Sequence, residues 1–67
     1  MDIRPGLYRH YKGKTYQVMG VARHSETLEE LVVYKDDKNL WVRPKQMFEE
    51  KVTVDGKKVP RFKYLKR

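Results

Sequence analysis

Sixty-seven residues make one small domain, 1–67, and the absence of cysteine excludes disulfide staples and thiolate chemistry. No apolar run is long enough to span a bilayer and the first residues lack a signal-peptide core, so a cytoplasmic chain without membrane contact is expected. The formal charge of +7 favours anionic partners, nucleic acid among them.

Taken in order, Met1 to Pro5 reads as a loosely held lead-in. Gly6 to Tyr11 reads as a first strand, because aromatic residues suit a pleated, half-buried surface. Lys12-Gly13-Lys14 is a tight turn into a second and longest strand, Thr15 to Arg23, which makes a hairpin. Along it Tyr16 and Val18 share one face, and the alternation then blurs at Gly20, the mark of a bend or bulge. Thr27-Leu28-Glu29-Glu30 has the form of a capping box, but Val32-Val33-Tyr34 follows at once and favours strand.

Leu31 to Lys35 is the third strand, Asp36 to Asn39 a polar turn, and Leu40 to Arg43 a fourth strand ended by Pro44. Pro44 to Glu50 is the one helix-like piece, of one or two turns, with Met47 and Phe48 directed inward. Val52-Thr53-Val54 adds a short strand, Asp55-Gly56 a hairpin turn, and Val59 to Leu65 a closing strand confined by Pro60 to an edge or a start. Lys66 and Arg67 are expected to fray. The expected fold class is all-β: a small, partly open barrel of five to six short strands with one short helical turn. Its expected core is Leu7, Tyr16, Val18, Val21, Leu31, Val33, Leu40, Val42, Met47, Phe48 and Phe62, with the aromatic Tyr8, Tyr11, Tyr34 and Trp41 divided between core and surface.

Charge is unevenly placed. Residues 1–24 carry five Lys/Arg against one Asp, net +4; residues 25–50 carry four against seven Asp/Glu, net −3; residues 51–67 carry seven against one Asp, net +6. The stretch Arg23-His24-Ser25-Glu26-Thr27 concentrates polar groups beyond the needs of a solvated turn. In an extended chain His24 and Ser25 point to opposite faces, so His10 is the better partner for Ser25 or Glu26. Two histidines and Glu26 are too weak a set to imply a metal, and no cofactor is expected. Ser25, Glu26 and Thr27 also suit hydrogen bonding to the backbone of a sharp turn.

Gly6-Leu7-Tyr8-Arg9-His10-Tyr11-Lys12-Gly13, Val21-Ala22-Arg23-His24-Ser25-Glu26-Thr27, Leu31-Val32-Val33-Tyr34, Leu40-Trp41-Val42-Arg43-Pro44, Met47-Phe48 and Pro60-Arg61-Phe62 together resemble a short bacterial domain of unknown function, the DUF1653 family. The likeness spans Gly6 to Leu65. It implies a fold similar to the SH3-like small barrels and implies no activity. The turn between Tyr34 and Leu40 is shorter and more charged than the family pattern.

The leading functional expectation is a binding module that is not an enzyme, with a cleft beside the Arg23–Thr27 loop. Arg9, Arg23 and Arg43 supply cationic forks for the phosphate or carboxylate of a nucleotide, nucleic acid or other anion. His10, His24, Ser25, Glu26 and Thr27 add directional hydrogen bonds, and Tyr11 and Trp41 a stacking surface. The alternatives are a peptide-binding adaptor using the same aromatic strip, and a minimal nucleotide-processing enzyme using His10 and Ser25. Oligomeric state is not readable from the residues.

Overall fold

The computed structural model describes residues 3–67. In chain order the elements are β1 (Gly6–His10), β2 (Thr15–Arg23), β3 (Glu30–Lys35), β4 (Leu40–Pro44), α1 (Lys45–Phe48), β5 (Lys51–Val54), β6 (Lys57–Pro60) and β7 (Phe62–Lys66). Five strands form one antiparallel sheet in the order β4-β3-β2-β1-β7, and among the described residues β5 pairs only with β6. The sheet does not close into a barrel. It is an open, curled sheet with a separate hairpin. The all-β expectation holds with seven strands rather than five or six, because the closing run divides at Arg61 into β6 and β7.

Local chemistry fixes the turns. At the β1–β2 turn the His10 N–H donates to the Lys14 carbonyl and the Gly13 N–H to the His10 carbonyl. Asp55 and Gly56 both take positive φ, 50° and 77°, the mirror-image turn that matches the twist of a two-residue hairpin. Gly6 is required for space: a Cβ there meets the Lys66 carbonyl oxygen at 2.7 Å. The pairing of β2 with β3 shifts register between Val18 and Gly20, at the bulge read from the sequence.

The core lies on one face of the sheet and is mostly aromatic. Tyr8, Val18, Val32, Tyr34, Phe48 and Phe62 are buried, with Ile3, Tyr16 and Tyr64 packed against them. Helix α1 is too short to be stable alone. Pro44 caps it rather than opening it, and its single buried side chain, Phe48, stacks on Phe62 at 4.1 Å and 7°. Met47, expected inward, is exposed.

The expected core is corrected on β1, β3 and β4. Tyr8, Val32 and Tyr34 face inward, while Leu7, Leu31 and Val33 are half-buried on the other face and Leu40 and Val42 are exposed there. Val21 of β2 stands opposite Val32 on the core face but is 38% exposed. A one-residue change of register moves every side chain across the sheet, and strands apolar on both faces do not declare which one is inside. The lead-in and tail are also held more firmly than expected. Ile3 packs on the core, Tyr8 Oη donates to the Arg4 carbonyl at 2.8 Å, and the Arg4 guanidinium stacks 3.9 Å over Tyr64. Lys66 is paired with Leu7. Met1 and Asp2 of that lead-in lie outside the described residues. Among the described residues no helix is long and apolar enough to cross a membrane.

Denaturant unfolding tests this assignment of faces. In dilute solution Phe62→Ala is expected to lower the unfolding free energy by about 3–5 kcal/mol. Leu40→Ser is expected to change it by no more than about 0.5 kcal/mol.

Candidate functional site

His10, the last residue of β1, stands opposite Phe62 of β7. Its ring meets Phe62 edge-on at 5.0 Å and lies tilted against Tyr11 at 4.5 Å. His10 Nδ1 accepts the Lys12 N–H at 3.2 Å, so the proton of the neutral ring sits on Nε2 and points away from the turn. Burial lowers the imidazole's pKa, and the charges of Arg43, Arg61 and Lys12 lower it further. At neutral pH His10 is an uncharged donor set among cations.

Phe62 carries the arrangement onward. Its ring packs against Tyr34 at 5.6 Å and Tyr16 at 6.0 Å, and the Arg43 guanidinium lies 5.6 Å over it. Arg43 Nε donates to the Tyr34 hydroxyl at 3.3 Å. Trp41 pairs with Tyr34 across β3 and β4, and Tyr16, Tyr34, Trp41 and Arg43 line a hollow of about 200 Å³. The result is a strip running Tyr11, His10, Phe62, Arg43, Trp41. Its two ends are accessible, Tyr11 39% and Trp41 44% exposed.

Asp36 orients the indole end. One carboxylate oxygen accepts the Lys38 and Asn39 N–H groups at 2.8 and 2.7 Å, and the other accepts Trp41 Nε1–H and Lys14 Nζ, both at 3.2 Å. The two backbone bonds from Asn39 and Lys38 hold its carboxyl well below the usual carboxylate range. Desolvation opposes this, and the bonds from Lys14 and Trp41 add to it. The same bond to Asp36 raises the Lys14 ammonium.

A second hollow, of about 330 Å³, adjoins the other end. Arg9, His10, Tyr11 and Lys63 line it from the sheet, and Val54, Val59 and Pro60 from the β5–β6 hairpin. The hairpin is anchored through Arg61: its N–H donates to the Glu50 carbonyl, its carbonyl accepts the Tyr11 N–H, and Nη2 meets Glu50 Oε1 at 2.9 Å. Arg9 and Lys63 are register partners. Three ion pairs are formed, by Lys14, Lys45 and Arg61, and Arg9, Lys12 and Lys63 have no carboxylate within 4 Å among the described residues.

The Arg23–Thr27 segment is elsewhere. Strand β2 has nine residues, and its two ends are about 27 Å apart at a strand's rise. His10 and Tyr11 sit beside the first end, and Arg23 to Thr27 leave from the second. Two of the loop's side chains fold it back on itself: His24 Nδ1 accepts the Glu26 and Thr27 N–H groups at 3.1 and 3.4 Å, and Thr27 Oγ1 accepts that of Glu29 at 3.2 Å. The hollow on that side is lined by Glu29, Glu30, Lys45, Gln46 and Glu49, a set that repels anions. Of the expected site, then, His10, Tyr11, Trp41 and Arg43 share one strip and Arg9 adjoins it. Arg23, His24, Ser25, Glu26 and Thr27 do not join them.

The same separation bears on chemistry. His10 and Ser25 lie at opposite ends of β2 and form no nucleophile–base pair, since such a pair needs hydrogen-bond reach. Among the described residues no three His, Cys, Asp or Glu side chains are arranged to hold a metal. Lys12, Tyr16, Asp36, Val59, Pro60 and Lys63 are not among the expected site residues; for Lys63 the signal in the sequence is the net +6 of residues 51–67.

Residues 6–64 match the family model described as "Protein of unknown function (DUF1653)". Among solved structures, the crystal structure of a DUF1653 protein from Bordetella bronchiseptica is similar, with 38% identity and a TM-score of 0.87. That match covers 97% of this chain and 90% of the other. No curated protein matches the chain.

The Asp36 hub makes a pH prediction. Its folded-state pKa is depressed, so the stability it contributes is fully present above its unfolded value, about 3.9, and is lost as pH falls towards the folded one. Thermal midpoints measured downward from pH 5 are expected to fall, and Asp36→Asn is expected to lower the neutral-pH midpoint and flatten that acid limb.

Proposed function

The chain belongs to the DUF1653 family, which is defined without an activity, and from that premise we propose that it is a small module that binds single-stranded nucleic acid. The strip from Tyr11 to Trp41 is the binding surface. Bases stack on the exposed rings of Tyr11 and Trp41, and phosphates meet Arg9, Lys12, Arg43 and Lys63. The observation that carries this reading is the convergence of accessible aromatic rings with cations that have no carboxylate within 4 Å among the described residues. Stacking needs a flat ring that water can leave, and every base has such a face, so binding of this kind tolerates sequence. The neutral His10 adds a donor at Nε2 for a phosphate oxygen or a base edge.

This reading moves the expected anion site from the Arg23–Thr27 loop to the other end of β2. The acidic hollow beside the loop supports the move. A peptide-binding surface uses the same rings but depends little on salt, whereas phosphate contacts release counterions. Three or four phosphates on this surface give a log–log slope of affinity against salt of about −2 to −3, from about −0.7 per phosphate on a single strand.

Titration with a labelled single strand of about 12 nucleotides tests the proposal. Binding is expected to show that slope, to quench Trp41 emission, and to weaken roughly tenfold in Tyr11→Ala and again in Trp41→Ala, within the ~1–3 kcal/mol per stacked base. Affinity indifferent to salt, or unchanged in both variants, contradicts it. The His10 ring supplies a second readout. A bound phosphate favours the imidazolium, so the pKa followed by the ring proton resonances is expected to rise on binding. An unchanged value in the saturated complex counts against phosphate contact at His10.

A further inference from the structure

The β5–β6 hairpin stands at the Tyr11 end of the strip. Its foot is tied down on two sides: the Arg61 carbonyl accepts the Tyr11 N–H, and the Arg61 N–H donates to the Glu50 carbonyl. Val54, Val59 and Pro60 of the hairpin wall one side of the hollow of about 330 Å³, and Arg9, His10, Tyr11 and Lys63 wall the other. Small-molecule sites run from about 300 to 1,000 Å³, so this one has room for a single small unit. A length of chain passing through does not fit.

The two cations of this hollow are set against each other. Arg9 of β1 and Lys63 of β7 are register partners, and both are exposed. Neither has a carboxylate within 4 Å among the described residues. Side chains directly opposite on antiparallel strands have Cβ atoms about 5 Å apart, and like charges there are destabilising. An anion between them removes the repulsion and is held by both. An internal phosphodiester brings one negative charge. A terminal phosphomonoester brings about −1.5 to −2 at neutral pH, with three acceptor oxygens.

We infer that this hollow seats the phosphorylated end of a single strand. The inference rests on the binding surface proposed above and adds which part of the strand that surface recognises. The terminal phosphate lies between the Arg9 guanidinium and the Lys63 ammonium. His10, whose Nε2 carries the ring proton, lines the same hollow and adds a neutral donor. The terminal base lies on Tyr11 against the apolar hairpin wall, and the strand leaves along the strip towards Trp41. A strand bound in one direction places only one of its two ends here. A general attraction to a chain of +7 makes no such distinction.

Calorimetric titration of the full chain with three oligothymidylates of about 12 nucleotides tests the inference. One carries a 5′ phosphate, one a 3′ phosphate, and one hydroxyls at both ends. Phosphate at one end is expected to tighten binding about tenfold, the size of one hydrogen bond to a charged group. Phosphate at the other end is expected to gain no more than about twofold, the screened effect of its charge. Lys63→Gln is expected to abolish the preference without lowering the thermal midpoint, because it relieves the opposition to Arg9. Lys63→Arg is expected to keep the preference. Trp41→Ala is expected to weaken all three strands alike and leave the preference intact. Equal binding of the three strands, or an equal gain from phosphate at either end, overturns the inference while single-strand binding stands. A preference that survives in Lys63→Gln overturns it as well. Failure of all three strands to bind overturns both the inference and the binding surface it rests on.

Discussion

Phe62 and Phe48 lie ring on ring at 4.1 Å, and the rest of the molecule is arranged around that stack. A chain of this length, with no disulfide, has few side chains to exclude water with, and large rings remove the most surface per residue. Tyr8 meets Phe48 edge-on, Tyr34 meets Phe62, and Tyr16 meets both Tyr34 and Phe62. The stack joins β7 to the single turn of α1, which has little helical stability of its own. Phe48 therefore holds the turn in place, and the turn closes one end of the sheet.

The candidate surface grows out of the same stack. Phe62 is a core residue whose rim supports His10 on one side and Arg43 on the other. Because these groups rest on a rigid aromatic base, the strip is preorganised rather than assembled from loops. Arg9, Lys12 and Lys63 come from the ends of the chain, where acidic residues are scarce, Arg43 comes from β4, and the indole end is fixed by Asp36. The Arg23–Thr27 loop offers the contrast. It has the more suggestive composition, yet its imidazole nitrogen and hydroxyl are used in folding the loop back on itself. A turn that places Leu28 at φ 64° needs such local bonds, and groups engaged in them are poor ligand donors.

Much of the fold is legible in the residues. Gly13, Gly20, Pro44 and Asp55-Gly56 mark turns, a bulge and a strand end because each rests on a local backbone requirement. Which face of β3 and β4 is inside is not local. Leu31-Val32-Val33-Tyr34 is apolar throughout, and the choice is made by Phe48 and Phe62, which arrive from later in the chain. The site divides in the same way. Residue types single out Tyr11, Trp41 and Arg43 as candidate stacking and cationic groups, but their company depends on the pairing of β1 with β7 and of β3 with β4. The separation of His10 from Ser25 follows from the hairpin register, which leaves them at opposite ends of β2.

The account turns on the claim that one end of the sheet, from Tyr11 to Trp41, meets the ligand and the other does not. Amide and indole resonances of isotopically labelled protein, followed as a short single-stranded oligonucleotide is added, test it most directly. The account predicts shifts at His10, Tyr11, Lys12, Trp41 and Lys63, with Arg23 to Thr27 unmoved. Shifts concentrated at Arg23 to Thr27, or none anywhere at millimolar ligand, would contradict it.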